Sequence, residues 1–321
     1  MEKIKDLYNK LKENVSLAVV GKDEAVRYMT AALVCGGHII ITDVPGTGKT
    51  LLTKSFASSL SLSFCRIQFT PDLMPSDITG IRYFNMKEQE FEFLPGPVFA
   101  NVVMADEINR ATPKTQAGML ECMAERQVTV DGERHALPEP FMVAATQNPI
   151  EASGVYELPE AQLDRFLLSI PMGLPSHRQT VDILKKYDKR SAAPVLSPVA
   201  DAADILAAAE ELDEVYVSED VFSYIVSICE ATRRAEGVEL GASPRAALAL
   251  LNVSKFIAAV NGRDYLLPDD VKECAPRVLC HRLIMTAAAS IKPDAAAKAV
   301  DAVLEQTPAP TEDQSAYKFR K

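Results

Sequence analysis

The chain has 321 residues, 48% of them apolar and 24% charged, with a formal net charge of −10. This is enough chain for one large or two medium domains, and two are expected, while the composition excludes disordered and fibrous classes. The acidic balance argues against a broad nucleic-acid-binding surface, and no run approaches the roughly 18 to 20 apolar residues needed to span a bilayer.

The first seven residues, Met1 to Leu7, are charged and amphipathic and lack the apolar stretch of a signal peptide, so a cytoplasmic location is expected. Ile4, Leu7, Tyr8, Leu11 and Val15 recur at helical spacing and predict a docked N-terminal helix. After a short break at Val19-Val20-Gly21-Lys22, Asp23 can cap a second helix that runs to Gly36-Gly37. Ile39-Ile40-Ile41-Thr42 then reads as a strand. It breaks into Asp43-Val44-Pro45-Gly46-Thr47-Gly48, and Lys49-Thr50 opens a helix through Leu51 to Leu60.

A strand, a glycine-bearing loop and a helix in that order make a phosphate cradle. Backbone N–H groups point inward, the helix N-terminus adds partial positive charge, and a lysine supplies a full one. Gly46 and Gly48 permit φ > 0 and close backbone approach. Gly48, Lys49 and Thr50 complete the end of the pattern G-x-x-x-x-G-K-[ST], but Asp43 stands where its first glycine belongs.

Downstream, residues 64–69 alternate as a second strand, and the proline-rich segment 71–98 reads as an insertion bearing a hairpin around 81–84 and 91–94. Residues 101–105 form a short apolar strand ending in Asp106-Glu107. Thr112 and Pro113 suit the cap and first turn of a helix to Glu125. Asp131-Gly132 between alternating residues predicts a hairpin over 127–137. Residues 141–146 make a fourth strand stopping at Gln147-Asn148-Pro149, and a short helix near 159–164 leads into a fifth strand at 166–170.

Apolar strands alternating with helices imply a mostly parallel five-stranded α/β sheet over about 1–172. The loop at 43–50, the acids at 106–107 and Asn148 all fall beyond the carboxyl ends of its strands, where ligands bind in such sheets. From about 173 to 321 the character changes to helices, near 175–187, 201–213, 219–236, 244–260 and 268–280, with a connector at 191–200 and a mobile tail. Cys35, Cys65, Cys122, Cys229, Cys274 and Cys280 show no short paired spacing and read as buried free thiols. The four histidines lack an i,i+4 pair, so no zinc site is expected.

In phosphate-loop enzymes the loop Ser/Thr and an Asp ending a nearby strand hold Mg²⁺, while the Lys reaches the β/γ-phosphates. Thr50, Asp106 and Lys49 can fill those roles, and Glu107 is placed to polarise an attacking water. Arg245 lies in the first turn of a helix capped by Ser243, where the dipole disfavours a cation by about 0.3 to 1 kcal/mol. Either an ion pair with an acid such as Glu239 or a bound phosphate reverses that sign. Arg165 has Glu157, Glu160 and Asp164 close in sequence and reads, from the residues alone, as a neutralised surface cation.

Taken together, Asp43 to Thr50, Ala105 to Ala111, Ala145 to Glu151, Leu158 to Phe166 and Gly241 to Ala246 resemble the MoxR family of AAA+ ATPases, in that family's order. The resemblance implies an AAA+ core followed by a helical lid. It makes Lys49 and Thr50 Walker A residues, Asp106 and Glu107 Walker B, Asn148 sensor 1, Arg165 an arginine finger acting in trans, and Arg245 sensor 2. The nucleotide-contact set then comprises Asp43, Pro45, Gly46, Thr47, Gly48, Lys49, Thr50 and Leu51, with Val20, Gly21 and Arg245. An acid at Asp43 is familiar in the family. Segments 71–98 and 127–137 become the helix-2 insertion and the pre-sensor-1 hairpin.

The activity implied is Mg²⁺-dependent ATP hydrolysis, with ATP and ADP as ligands, in a homo-oligomeric ring, a hexamer. The implied work is chaperone-like remodelling or maturation of protein clients, with metal or cofactor insertion among its forms and a von Willebrand factor A domain protein as partner. A nucleic-acid motor or loader, and a nucleotide-gated binding switch with incidental turnover, are the competing classes. Neither nucleic acid nor a membrane span is expected.

Overall fold

The computed structural model describes residues 1–42, 46–148, 155–188, 194–292 and 294–310. The chain packs as two compact units, Met1–Asp213 and Glu214–Lys321. In the first, α1 (Glu2–Ser16) buries Ile4, Leu7, Leu11 and Val15 along one stripe, as their spacing requires. The second helix, α2 (Asp23–Val34), is buried along nearly its whole length. Gly36 and Gly37 then turn the chain into β1 (Ile39–Thr42). At Gly37 a Cβ would lie 2.6 Å from the Leu167 side chain, so the turn needs a residue without one.

After β1 come α3 (Lys49–Ser58), β2 (Phe64–Gln68), α4 (Pro75–Thr79), β3 (Gly80–Asn85), β4 (Glu90–Pro95) and β5 (Val102–Asp106). Next are α5 (Pro113–Glu125), β6 (Gln127–Val130), β7 (Glu133–Ala136), β8 (Met142–Gln147), α6 (Glu160–Leu163) and β9 (Leu168–Pro171). Five of these strands form one parallel sheet in the order β2-β5-β8-β1-β9. β5 and the first five residues of β8 are buried, as expected where helices cover both faces of a parallel sheet. The strand order decides which loops meet. Ile40 pairs with Ala145 of β8, Ala145 with Ala105 of β5, and Gln68 with Asp106, so loop 46–48, Asp106 and Gln147 emerge at one edge.

Two hairpins extend from this core. β3 pairs with β4, and β6 pairs with β7 through a turn in which Asp131 and Gly132 have φ of 50° and 84°. Both positive values are what a tight hairpin needs, which is why Asp-Gly predicts one. Between the hairpins, Arg82 pairs with Glu133 at 3.1 Å and Phe93 stacks on His135 with ring centroids 3.9 Å apart. The insertion also contains α4, which opens on Pro75 with Asp77 accepting from the Met74 N–H at 2.9 Å.

Two more helices, α7 (His177–Tyr187) and α8 (Ala202–Asp213), belong to the first unit by packing, although composition changes near residue 172. α8 lies against α1 and α2, and the Ser61 N–H donates to the Ala200 carbonyl at 2.8 Å. By packing, the first compact unit ends at Asp213.

The second unit contains α9 (Glu219–Thr232), β10 (Val238–Leu240), α10 (Pro244–Val260), α11 (Pro268–Leu279), β11 (Ile284–Met285), α12 (Ala287–Ser290) and α13 (Ala295–Gln306). α9 buries Val221, Tyr224, Ile225 and Ile228 on one stripe. It stops at Thr232, short of the expected 236, and there the Thr232 hydroxyl donates to the Cys229 carbonyl at 2.6 Å and accepts from the Ala242 N–H at 2.9 Å. The helical periodicity of the sequence did not reveal α13, which buries Ala299, Val300 and Val303. Among the described residues no helix is long and apolar enough to cross a membrane. All six cysteines are free thiols; Cys122, Cys229 and Cys274 are buried and the other three partly so. The tail beyond 310 lies outside the described residues.

Candidate functional site

At the carboxyl edge of the sheet, Gly46 and Gly48 hold φ of 83° and 86°, in the left-handed region that favours glycine. A Cβ on either would meet nothing within 4 Å. Backbone conformation, not crowding, thus sets the requirement here, and both positions border open space. Gly48 is the N-cap of α3 and brings no side-chain cap to its first turn. Gly46, Lys49, Thr50 and Leu51 border a cavity of about 400 Å³. Lys49 reaches across and donates through Nζ to the Gln147 carbonyl at 3.0 Å.

Asp106, Glu107, Thr146, Asn148, Arg66 and Gln68 border the same cavity from the neighbouring strands. Asp106 is nearly buried and both its oxygens are engaged. Oδ1 accepts from the Thr146 hydroxyl at 2.6 Å, and Oδ2 accepts from Arg66 Nε at 3.0 Å and Nη2 at 2.6 Å. Glu107 has φ of 56°, unusual for a residue with a Cβ and costly by roughly 1 to 3 kcal/mol. That conformation ends β5 and begins the 3₁₀ turn Ile108–Arg110. Its N–H donates to Thr146 Oγ1 at 2.8 Å, and its Oε2 accepts from Gln68 Nε2 at 2.9 Å and Arg110 Nη1 at 3.0 Å. Asn148 is buried, and its carbonyl accepts from Asn109 Nδ2 at 3.3 Å.

Lys49, Thr50, Leu51, Asp106, Glu107 and Asn148 thus converge on one cavity, with Gly46 and Gly48 at its rim. Thr47 lies beside them, buried. Asp43 and Pro45 lie outside the described residues. Val20 and Gly21 are not on the cavity wall; Gly21, with φ of 68°, lies under the Gln179 side chain of α7. Arg165 does not line the cavity of its own chain either. Its Nη1 donates to the Leu120 carbonyl in α5 at 2.7 Å. Arg245 occupies the first turn of α10, whose cap Ser243 accepts from the Ala246 N–H at 3.2 Å, in the second unit.

Arg66, Gln68 and Thr146 are site residues that the sequence alone did not single out. A weak signal existed for the first two, since Arg66 and Gln68 alternate as polar positions on one face of a strand.

Chemically, a helix terminus without a side-chain cap, a lysine and a pair of acids border one cavity large enough for a polyphosphate. The donor set fits a hydrated divalent ion of the Mg²⁺ kind, which takes oxygen ligands from one or two protein groups. Thr50 and Asp106 border the cavity with such oxygens, and Asp106 Oδ2 already accepts two N–H groups of the Arg66 cation.

Comparison with known proteins agrees with this geometry. A family model described as "ATPase family associated with various cellular activities (AAA)" matches residues 38–168, and an AAA lid domain model matches 230–304. The uncharacterized protein YeaC of Bacillus subtilis is 44% identical over 88% of this chain and 89% of its own length. Chaperone MoxR1 of Mycobacterium tuberculosis is 42% identical over 85% of this chain and 74% of its own. The crystal structure of a candidate ATPase from Cytophaga hutchinsonii superposes with a TM-score of 0.88 at 36% identity, covering 97% of this chain and 98% of that one.

Proposed function

The chain belongs to the MoxR family of AAA+ ATPases, and on that premise we propose that it hydrolyses ATP to remodel or mature client proteins. The observation that carries the proposal is the convergence of Lys49, Thr50, Asp106, Glu107 and Asn148 on a single cavity at the sheet edge. In this reading the N–H groups of loop 46–48 and the first turn of α3 bind the phosphates, and Lys49 exchanges the Gln147 carbonyl for β/γ-phosphate oxygens. Thr50 and Asp106 hold Mg²⁺, which when bound supplies charge neutralisation at the phosphates.

Glu107 polarises a water for attack on the γ-phosphorus. The bond to the β,γ-bridging oxygen breaks, and ADP and inorganic phosphate leave. Thr146 sets the Glu107 backbone while Gln68 and Arg110 aim its carboxylate. Asn148 orients the water or the γ-phosphate.

Arg165 completes the site of a neighbouring subunit, and Arg245 takes the sensor 2 role that the family resemblance implies. The reading includes a homo-oligomeric ring, a hexamer, in the cytoplasm, with the hairpins β3–β4 and β6–β7 offered to the client. The MoxR1 relative carries the name chaperone, which supports the client-remodelling reading. A von Willebrand factor A domain partner, and metal or cofactor insertion into the client, extend that reading.

Binding of a fluorescent ATP analogue tests the site. The wild-type chain should bind it, and Lys49→Ala should weaken binding at least tenfold while keeping its secondary structure. Equal affinity in the two proteins would contradict the proposal.

A further inference from the structure

The geometry points to Arg66 as a tethered cation that competes with the divalent metal for Asp106, an inference that rests on the nucleotide-site reading above. β2 and β5 are paired in register, Arg66 opposite Met104 and Gln68 opposite Asp106, so Arg66, Gln68 and Asp106 share one face. Arg66 grips a single carboxylate oxygen of Asp106 with two N–H groups, at 3.0 and 2.6 Å. The other oxygen is taken by Thr146 at 2.6 Å. A hydrated metal on this acid and the guanidinium therefore claim the same oxygen, Oδ2.

The exposures of the two side chains suit an exchange. The Asp106 side chain is 10% exposed and that of Arg66 48%. A nearly buried carboxylate left without a cation is costly, so Arg66 stabilises the metal-free site. The half-exposed guanidinium can swing into water at little cost when the metal takes its place.

Release also reaches the second acid. Arg66 Nη2 donates to Gln68 Oε1 at 2.8 Å, and the same Gln68 amide donates to Glu107 Oε2 at 2.9 Å. When Arg66 leaves Asp106, Gln68 loses the partner that fixes its amide, and its hold on Glu107 loosens. Metal arrival at Asp106 is thereby coupled to freeing Glu107, without any change in the sheet.

The test is Mg²⁺ titration of fluorescent-ADP binding to the full chain. Arg66→Ala should lower the Mg²⁺ midpoint by about three- to tenfold, since a competing, partly exposed ion pair is removed, and should lower the metal-free melting temperature. Arg66→Lys keeps the charge but loses the two-pronged grip, so its midpoint should fall between; it also serves if the alanine variant does not fold. An unshifted or raised midpoint in these variants overturns the inference. So does weaker nucleotide binding at saturating Mg²⁺ with an unshifted midpoint, which assigns Arg66 to the phosphates. A wild-type chain that binds no nucleotide at any Mg²⁺ concentration overturns the underlying site reading as well.

Discussion

Thr146 Oγ1 lies 2.6 Å from Asp106 Oδ1 and donates its proton there, while the same oxygen accepts the Glu107 N–H at 2.8 Å. One hydroxyl from β8 thus fixes the rotamer of one acid and the backbone of the next. The valine variant has nearly the same shape but can make neither bond. Thr146→Val should cost roughly 1 to 3 kcal/mol of stability, because it leaves Asp106 Oδ1 buried without a partner. It should also cut ATP turnover at least tenfold. Thr146→Ser should restore most of both, measured by denaturant unfolding and phosphate release. Unchanged turnover in Thr146→Val would show that Glu107 needs no such support.

His38 offers a pH test of the fold away from the chemistry. Its ring is buried between β1, α5 and β8; Nδ1 accepts from the Val143 N–H at 3.0 Å and Nε2 faces the Met123 carbonyl at 3.1 Å. Burial pushes its pKa down from 6.5 to about 4. The unfolded chain therefore takes up the proton first on acidification. The stabilisation from the neutral ring is whole above about pH 6.5 and is lost progressively as pH falls towards 4, on the order of 3 kcal/mol. Urea midpoints from pH 7.5 to 4 should fall more steeply for the wild-type chain than for His38→Gln. Parallel curves would place the acid sensitivity elsewhere.

Arg165 Nη1 donates to a carbonyl of its own chain, Leu120, which uses one of the five N–H groups of its guanidinium. Specific ATPase activity should rise with protein concentration as subunits assemble. Arg165→Ala should abolish that rise and reduce turnover by roughly 10³-fold, with nucleotide affinity within about threefold of wild type. Activity independent of concentration, with Arg165→Ala harmless, would remove the trans-acting role.

Local signals carried much of the architecture. The apolar run Ile39–Ile41 of β1, Pro113 at the first turn of α5 and Asp131-Gly132 at a hairpin are each legible within a few residues. Arg66, Gln68 and Thr146 were not legible as site residues because their partners come from the sheet order. β5 lies between β2 and β8, strands far apart in sequence, and nothing local places Arg66 beside Asp106. The insertion at 71–98 is expected to bear a hairpin but also holds α4, which Pro75 starts, since a proline at the first helical position forfeits no helical hydrogen bond. Packing adds what composition does not show: the composition changes near 172, and α8 beyond it lies against α1 and α2.

The central claim, that Lys49 and Glu107 act on one ATP in this cavity, is tested most directly by Glu107→Gln. With its neutral isostere the carboxylate's acceptance of a proton from water is lost while the cavity keeps its shape. The variant should bind ATP as tightly as wild type and retain it unhydrolysed after isolation from excess nucleotide, with turnover lower by about 10² to 10⁴-fold. Wild-type rates of phosphate release from Glu107→Gln would contradict the account.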